Sequence, residues 1–287
     1  MTLTQLFAGT LVALVAGTLV GQVLRRIARS DSAQRTVSNI NQRIAVWWVL
    51  CAFMAAALVS GRIAVCALFA AFSWLGAREF QGTERRASWL LSGFTAAQYV
   101  AVWAGWQLGF AVLIPAIALI AIPRQFPALI VATYGLSFTP ALLTLPIPGH
   151  AGRNTTLLYY LLIVVEASDI LQYICGKLWG RHRIAPKISP NKTWEGLAGG
   201  IVMATALGTA LYLATPFTRW QAAAICGAVT FAGFGGGLAL SAVKRERGIK
   251  DFGTLLPGHG GVLDRVDSLC FAAPVFWLIV RLWFTAR

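Results

Sequence analysis

The sequence predicts an all-α, polytopic integral membrane protein, and three observations support this fold class. Hydrophobic residues make up 57% of the 287 residues and charged residues only 12%, about half of the charged share of soluble domains. Apolar runs of transmembrane length recur along the whole chain. Basic residues are concentrated in the short loops between these runs, where lipid headgroups and topology explain them. A soluble two-domain protein is therefore excluded.

About ten transmembrane helices are predicted from the apolar segments. The segments cover residues 3–24, 44–59, 62–80, 87–105, 107–122, 127–146, 156–178, 195–214, 220–240 and 266–285. The second and fifth segments are short, so a count of nine remains open. The first segment lacks a basic leader and is too long for a cleavable signal peptide, so we expect it to be retained as a helix.

The basic residues are distributed unequally between the two sides of this topology. With the N-terminus outside, 19 of the 24 Lys and Arg residues fall on the cytoplasmic side. The loops concerned are residues 25–43, 78–86, around 124, 177–194 and 241–265. This asymmetry follows the positive-inside rule and predicts that the charged loops face the cytoplasm. Within residues 25–43 we expect an interfacial helix or loop.

The net charge of +14 does not indicate a nucleic-acid partner. Nucleic-acid binding requires a contiguous basic surface on a folded module, whereas these charges lie in loops between apolar helices. The five cysteines lie in apolar runs and form no CxxC pair. We therefore expect them to be small core residues and not metal ligands or disulfides.

Two regions of different polarity meet at about residue 155. Residues 1–155 are predicted to form a transmembrane scaffold, in which Arg78 and Glu79 are interpreted as a local ion pair at a helix end. Residues 156–287 carry acids inside predicted helices and dense charge in loops 177–194 and 241–265. This second region is predicted to be the catalytic one.

Glu166 and Asp169 lie inside the seventh apolar segment. They are three residues apart and so share one helix face. A carboxylate at membrane depth costs on the order of 2.5–3.5 kcal/mol. Two interpretations remain open for these acids: a polar cavity open to the cytoplasm, or structural ion pairs with a buried Lys or Arg.

The segment "APKISPNKTWEGLAGG", residues 185–200, leads into the eighth apolar segment. Ser189 and Pro190 favour a turn, Thr193 is a candidate helix cap, and Glu195 falls in the first helical turn, where the helix dipole favours an acid. Lys192 stands at a helix N-terminus, where backbone N–H groups favour phosphate. It is interpreted as a phosphate clamp or, alternatively, as an ordinary membrane-surface lysine.

The charged segment, residues 241–268, is the most polar part of the chain. Lys244, Arg245 and Lys250 are suited to neutralise a polyphosphate. The glycine-rich run 257–261 can turn consecutive backbone N–H groups toward an anion. The charged segment is therefore predicted to bind a nucleotide polyphosphate at the membrane interface.

Four aspartates and one histidine complete the candidate site. Asp264 and Asp267 are three residues apart, so both project from one helix face. Together with Asp169 they would supply the hard oxygen ligands that Mg²⁺ prefers, and Asp251 follows Lys250 directly. His259 is interpreted as a phosphate or proton-transfer group or, alternatively, as a structural loop residue.

The charged segment resembles the signature of phosphatidate cytidylyltransferases, the CDP-diacylglycerol synthases. The residues that match with the same spacing are Ser241, Lys244, Arg245, Lys250, Asp251, Pro257, His259, Gly260, Gly261, Asp264, Arg265 and Asp267. The run "SPNKTWEG" and the set Asp169, Tyr173 and Gly176 match two further motifs. Gln172 departs from the pattern, because the family usually has alanine there, and this leaves the fine shape of the pocket open.

The resemblance implies transfer of the cytidylyl group of CTP to phosphatidic acid, with Mg²⁺, in phospholipid biosynthesis. Implied metal ligands are Asp169, Asp264, Asp251 and Asp267. Implied catalytic residues are Lys250, Asp251, His259, Asp264 and Asp267. Implied substrate-binding residues are Ser189, Lys192, Thr193, Glu195, Ser241, Lys244, Arg245 and Arg265. Similar enzymes form homodimers and take their lipid from the membrane, so both are expected here.

Two other functions are compatible with parts of the sequence. One is a related CTP-dependent enzyme acting on another lipid, such as a polyprenol kinase or an ether-lipid CDP synthase. The other is an ion-coupled transporter using Glu166 and Asp169, which predicts acids spread through several helices. The acids here concentrate at the cytoplasmic ends, which favours the enzyme.

Overall fold

A computed structural model of the protein describes residues 1–27, 30–81, 85–121, 127–255 and 260–285. The first region is helical throughout its described parts. Its helices are α1 (Leu3–Ile27), α2 (Asp31–Ser60), α3 (Arg62–Gln81), α4 (Arg85–Ala104), α5 (Ile114–Ala121) and α6 (Pro127–Ala141). A π-helical turn, Gly109–Leu113, leads into α5, and a 3-10 turn, Leu142–Thr144, follows α6. The polar residues after Asp31 are helical and continuous with the second apolar segment.

The second region contains the remaining helices. These are α7 (Asn154–Trp179), α8 (Trp194–Ala210), α9 (Arg219–Glu246), α10 (Leu263–Val266) and α11 (Leu269–Trp283), with a 3-10 turn at Tyr212–Ala214. Each of the ten predicted apolar segments therefore contains a helix. The polytopic α-helical class is supported. The number of helices does not give the number of membrane spans, because a helix must also be long and apolar enough to cross the bilayer.

Five helical stretches of the described chain are long and apolar enough to cross a membrane. They are Leu3–Ile27, Arg62–Phe80, Asn154–Trp179, Arg219–Glu246 and Leu263–Trp283, and the shorter Ile44–Ser60 is also apolar. The predicted count of ten spans is not confirmed. Helices α5 and α6 have 8 and 15 described residues, fewer than the roughly 20 that a bilayer crossing requires.

One small β-hairpin departs from the all-α prediction. Strand β1 (Arg183–Ala185) pairs antiparallel with β2 (Ser189–Thr193). Pro186 and Pro190 explain the departure, because proline disrupts a helix interior but is tolerated in turns and edge strands. The hairpin projects between α7 and α8 and carries part of the candidate site.

Both regions pack into one hydrophobic core. Helices α7, α8 and α9 pack together, and α11 joins the two regions by packing on α6 and α9. The buried aromatic residues Tyr160, Phe217 and Phe276 lie in this core. The predicted boundary near residue 155 therefore falls between helices of one continuous packed unit.

Hydrogen bonds group the loops at the two ends of the bundle. At one end, Arg245 Nε donates to the Ile188 carbonyl at 3.1 Å, which joins the hairpin to the end of α9. Elsewhere, Arg153 donates to the carbonyls of Met1 and Leu213 at 3.0 and 3.2 Å. Each group contains only loops that the predicted topology puts on the same side of the membrane.

Candidate active site

A buried ion pair lies at the centre of the charged segment. Lys244, in the last turn of α9, donates to Asp264 Oδ1 at 2.9 Å, and the two side chains are 9% and 3% exposed. The other oxygen of Asp264 accepts from the backbone N–H groups of Phe252 and Gly261, at 2.8 and 2.9 Å. Asp264 therefore folds the segment back on itself, and both of its oxygens are already engaged.

Gly260 permits the close turn beside this pair. Its φ of +79° lies in the left-handed region that favours glycine. A Cβ on Gly260 would also lie 2.8 Å from Asp264 Oδ2 and 3.1 Å from the Cβ of Asp251. The turn thus brings Asp251, which is exposed, next to Asp264.

A second polar group meets at Gly237, on the inner face of α9. A Cβ on Gly237 would lie 3.0 Å from Lys192 Nζ, 3.4 Å from Ser268 Oγ and 3.7 Å from Asp267 Oδ2. Lys192 also donates to the Phe234 carbonyl at 3.3 Å. Because Gly237 has no side chain, Lys192 of the hairpin and Asp267, between α10 and α11, can both approach this point of α9.

Asp169 belongs to this second group. Its carboxylate interacts electrostatically with Asp267, Lys192 and Arg265 and is also influenced by the Ser268 hydroxyl. Glu166 interacts electrostatically with Asp169, Asp267 and Arg265. We define the acid–base cluster as Glu166, Asp169, Lys192, Arg265 and Asp267.

Within the described part of the chain, neither Glu166 nor Asp169 makes a direct ion pair. This argues against the structural ion-pair interpretation of the two acids. The Nε of Arg265 is buried and has no hydrogen-bond partner among the described residues. The cluster therefore holds an unsatisfied donor beside several carboxylates.

The environment of Lys192 lowers its pKa. Burial is the main cause and Lys244 adds to it, while Asp267 and Asp169 act in the opposite direction. The ammonium also lies 4.6 Å from the centre of the Phe234 ring, which favours its charged form. Lys192 is thus a partly buried cation and not the ordinary surface lysine of the alternative interpretation.

The start of α8 agrees with the sequence prediction. Thr193 caps the helix by accepting from the Gly196 N–H at 3.1 Å, so the predicted cap is confirmed. Glu195 lies in the first turn, but its carboxylate contacts His182 at 2.5 Å and the N–H of Arg181 at 3.0 Å. These contacts lower the pKa of Glu195 to about 2, and the contact with His182 has the largest effect. Ser189 is half-buried at the start of β2.

The other predicted residues have varied surroundings. Arg245 is exposed and donates to the carbonyls of Ile188 and Ile249. Ser241 Oγ donates to the Gly237 carbonyl at 2.6 Å, and Lys250 is exposed. His259 and the start of the glycine-rich run, 257–258, lie outside the described residues, so their predicted roles stay predictions.

One important residue was missed by the sequence prediction. Instead of pairing with Arg78, Glu79 accepts from the N–H groups of Val262 and Leu263 at 2.8 and 3.0 Å. Arg78 lies over the Trp74 ring at 4.8 Å. The predicted local ion pair is therefore wrong within the described residues. An acid at the end of an apolar helix, in a chain with only 10 acids, was the available signal.

The structure separates the predicted aspartates into two sets. Asp169 lies with Asp267, whereas Asp264 is paired with Lys244 next to Asp251. Among the described residues, no group of three His, Cys, Asp or Glu side chains could hold a metal ion by itself. Metal ligation by any of these aspartates stays a prediction.

Fold and site together define a helical membrane protein with a polar cluster at one end of its bundle. The model of the cytidylyltransferase family matches residues 41–283. The uncharacterized protein YnbB of Escherichia coli (strain K12) is 33% identical over 295 residues, which is 95% of this chain and 97% of YnbB. The phosphatidate cytidylyltransferase of Mycobacterium leprae is 44% identical over 144 residues, 50% of this chain and 44% of that enzyme. The phosphatidate cytidylyltransferase of Bacillus subtilis is 39% identical over 130 residues, 45% of this chain and 48% of that enzyme.

The chain belongs to the cytidylyltransferase family. The prediction that it is a nucleotidyltransferase is thereby confirmed. The alignments with the two named enzymes span less than half the length of each, whereas the alignment with YnbB is nearly complete.

Proposed function

We propose that the protein transfers the cytidylyl group of CTP to the phosphate of phosphatidic acid, giving CDP-diacylglycerol and pyrophosphate. The observation that carries this proposal is the convergence of Lys192, Asp169 and Asp267 in one cluster. A partly buried cation beside hard carboxylates suits a polyphosphate with its divalent metal. The names of the M. leprae and B. subtilis relatives support the same donor and acceptor.

The reaction needs no nucleophile from the protein, because the lipid phosphate is already ionised. One of its oxygens attacks the α-phosphorus of CTP. The bond from that phosphorus to the bridging oxygen breaks, and pyrophosphate leaves with the electron pair. The protein then has two tasks, which are to hold the reacting groups in line and to neutralise their charge.

The acid–base cluster supplies the neutralising charge. Lys192 approaches from the hairpin and Arg265 from α10, where its Nε is buried without a partner among the described residues. A phosphate oxygen would satisfy that donor with a charge-assisted hydrogen bond. We assign both residues to phosphate binding. Phosphate binding by Lys244 and metal ligation by Asp264 require their ion pair to open.

Mg²⁺ is the cofactor we propose, and the donor set fits it. Mg²⁺ in such sites is held by one or two carboxylates together with substrate phosphates, so a preformed three-residue cage is not required. Asp169 and Asp267 would hold the ion, with Asp251 and Asp264 as the remaining predicted ligands. When bound, the ion would neutralise charge on the phosphates.

The cytoplasmic side of the bacterial inner membrane is the proposed location of the site. CTP is a cytoplasmic nucleotide, and the hairpin and charged segment belong to the basic loops of the predicted topology. The acyl chains of the lipid would stay in the bilayer. The homodimer implied by the resemblance stays a prediction.

The test is a lipid-acceptor panel with the purified protein. CTP and Mg²⁺ are supplied with phosphatidic acid, an ether-linked analogue, diacylglycerol or a polyprenol. We expect a CDP-lipid from phosphatidic acid, and none after chelation of Mg²⁺. Preference for the ether analogue would reassign the acceptor, and absence of a CDP-lipid with every acceptor would contradict the proposal.

A further inference from the structure

The last turn of α3 is joined to the start of α10 by a bidentate carboxylate. One oxygen of Glu79 accepts from the N–H of Val262 at 2.8 Å, and the other accepts from Leu263 at 3.0 Å. The first N–H groups of a helix have no partner within it. Glu79 therefore satisfies two of them although it lies 183 and 184 residues earlier in the chain.

Two glycines of the charged segment leave room for this carboxylate. A Cβ on Gly253 would lie 2.7 Å from the carboxyl carbon of Glu79, and a Cβ on Gly261 would overlap Glu79 Oε2. Real Cβ atoms essentially never approach other atoms so closely. The segment is thus folded around Glu79, and any side chain at either glycine would displace it.

Contacts of the next residue, Phe80, with Phe252 and Arg247 strengthen the junction. The Phe80 ring packs on Phe252 with centroids 5.5 Å apart. Arg247 donates to the Phe80 carbonyl at 2.5 Å and lies 3.7 Å over the same ring. The end of α3 therefore contacts the charged segment at three places, which are Arg247, Phe252 and Val262.

We propose that Glu79 is a positioning residue for the transfer reaction, a proposal that rests on the proposed function. Asp264 follows Leu263 directly and Asp267 comes three residues later, so a shift of α10 moves both aspartates. Misplacement of a reacting constellation by about 1 Å can cost on the order of 100-fold in rate. Glu79 acts through these aspartates and need not touch the substrate.

A different interpretation of the same contact makes the opposite prediction. The N–H groups of Gly261, Val262 and Leu263 all bind carboxylates, and consecutive N–H groups also bind phosphate. If Glu79 only occupied a phosphate site, CTP would displace it, and removing it would strengthen CTP binding. The close fit at the two glycines favours a permanent clamp.

The experiment compares Glu79→Ala and Glu79→Gln with Arg78→Gln in the purified full-length protein. Arg78 is the matched control, because it is adjacent in sequence and its guanidinium stacks locally on Trp74. For Glu79→Ala we expect kcat to fall on the order of 100-fold, with the KM for phosphatidic acid unchanged. Glu79→Gln should lose less, since glutamine keeps one acceptor oxygen. Arg78→Gln should match the wild type.

A second readout does not depend on activity. Lys250 is exposed, so trypsin cleavage after it reports release of the charged segment. We expect faster cleavage in Glu79→Ala than in Arg78→Gln, at equal monodispersity. A wild-type cleavage rate in the alanine variant would overturn the clamp.

Wild-type kcat or tighter CTP binding in folded Glu79→Ala would also overturn the proposal. If Glu79→Ala does not fold, Glu79→Gln is the test. An unchanged kcat in Glu79→Gln would then overturn the proposal. A wild-type protein inactive on CTP and every lipid would count against the proposed function, and the trypsin comparison would still decide the role of Glu79.

Discussion

Lys244 and Asp264 form an ion pair with 2.9 Å between Nζ and Oδ1, and both side chains are almost completely buried. Asp264 also closes the charged segment through two backbone N–H groups. Removing one partner of such a pair leaves an uncompensated buried charge. The pair therefore connects the stability of the segment to the placement of its acids.

Asp264→Asn is expected to destabilise the protein by about 3–5 kcal/mol, because Lys244 is left buried and unpaired. Thermal unfolding of the purified variant measures this loss. The double variant Lys244→Met with Asp264→Asn should recover part of the stability, since the lone charge is gone. A single variant as stable as the wild type would show that the pair contributes nothing. Full activity in the double variant would exclude a metal role for Asp264.

Gly237→Ala is expected to lower activity, because its Cβ would lie 3.0 Å from Lys192 Nζ, a tight contact that would shift the ammonium within the cluster. The matched control is Gly235→Ala in the same helix, where a Cβ meets nothing within 4 Å. Both changes gain the same helix propensity. Steady-state kinetics should therefore separate them, and equal activity in the two variants would refute the role of Lys192.

Asp169→Asn and Asp267→Asn are expected to lose activity without losing stability. Each change removes one of several like charges that face one another in the cluster, which relieves repulsion. The rate should fall at least about 100-fold if these groups neutralise or organise the transition state. Kinetics and thermal unfolding on the same preparations check both parts. Strong destabilisation by either change would instead mark a structural acid.

Labelling of single cysteines tests the orientation. Lys187→Cys places a thiol at the exposed turn of the hairpin, and Ala151→Cys places one near Arg153 at the other group of loops. A membrane-impermeant maleimide added to intact cells should label only the second. Four of the five native cysteines are buried, so their background should be low. Labelling of Lys187→Cys from outside would show that the predicted orientation is wrong.

Local patterns made parts of this structure predictable. Helical segments follow from apolar runs, and the Thr193 cap follows from the residue type before the helix. The hairpin was missed although Pro186 and Pro190 exclude a helix there. The number of spans was harder to predict, because apolar segments such as 107–122 and 127–146 are longer than the helices within them.

Long-range pairing explains the rest of the differences. Equal spacing made Asp264 and Asp267 similar candidates, yet one faces Lys244 and the other meets Asp169. Glu79 reaches Leu263 across most of the chain. A single sequence carries no information about which distant groups meet, because those contacts arise only when the helices pack.

The most direct measurement follows the two ends of the nucleotide. Purified protein is incubated with phosphatidic acid, Mg²⁺ and CTP labelled at either the α- or the γ-phosphorus. The account predicts α-label in the lipid product and γ-label in released pyrophosphate. Transfer of γ-label to a lipid would show a kinase, and would contradict cytidylyl transfer at the cluster of Asp169, Lys192 and Asp267.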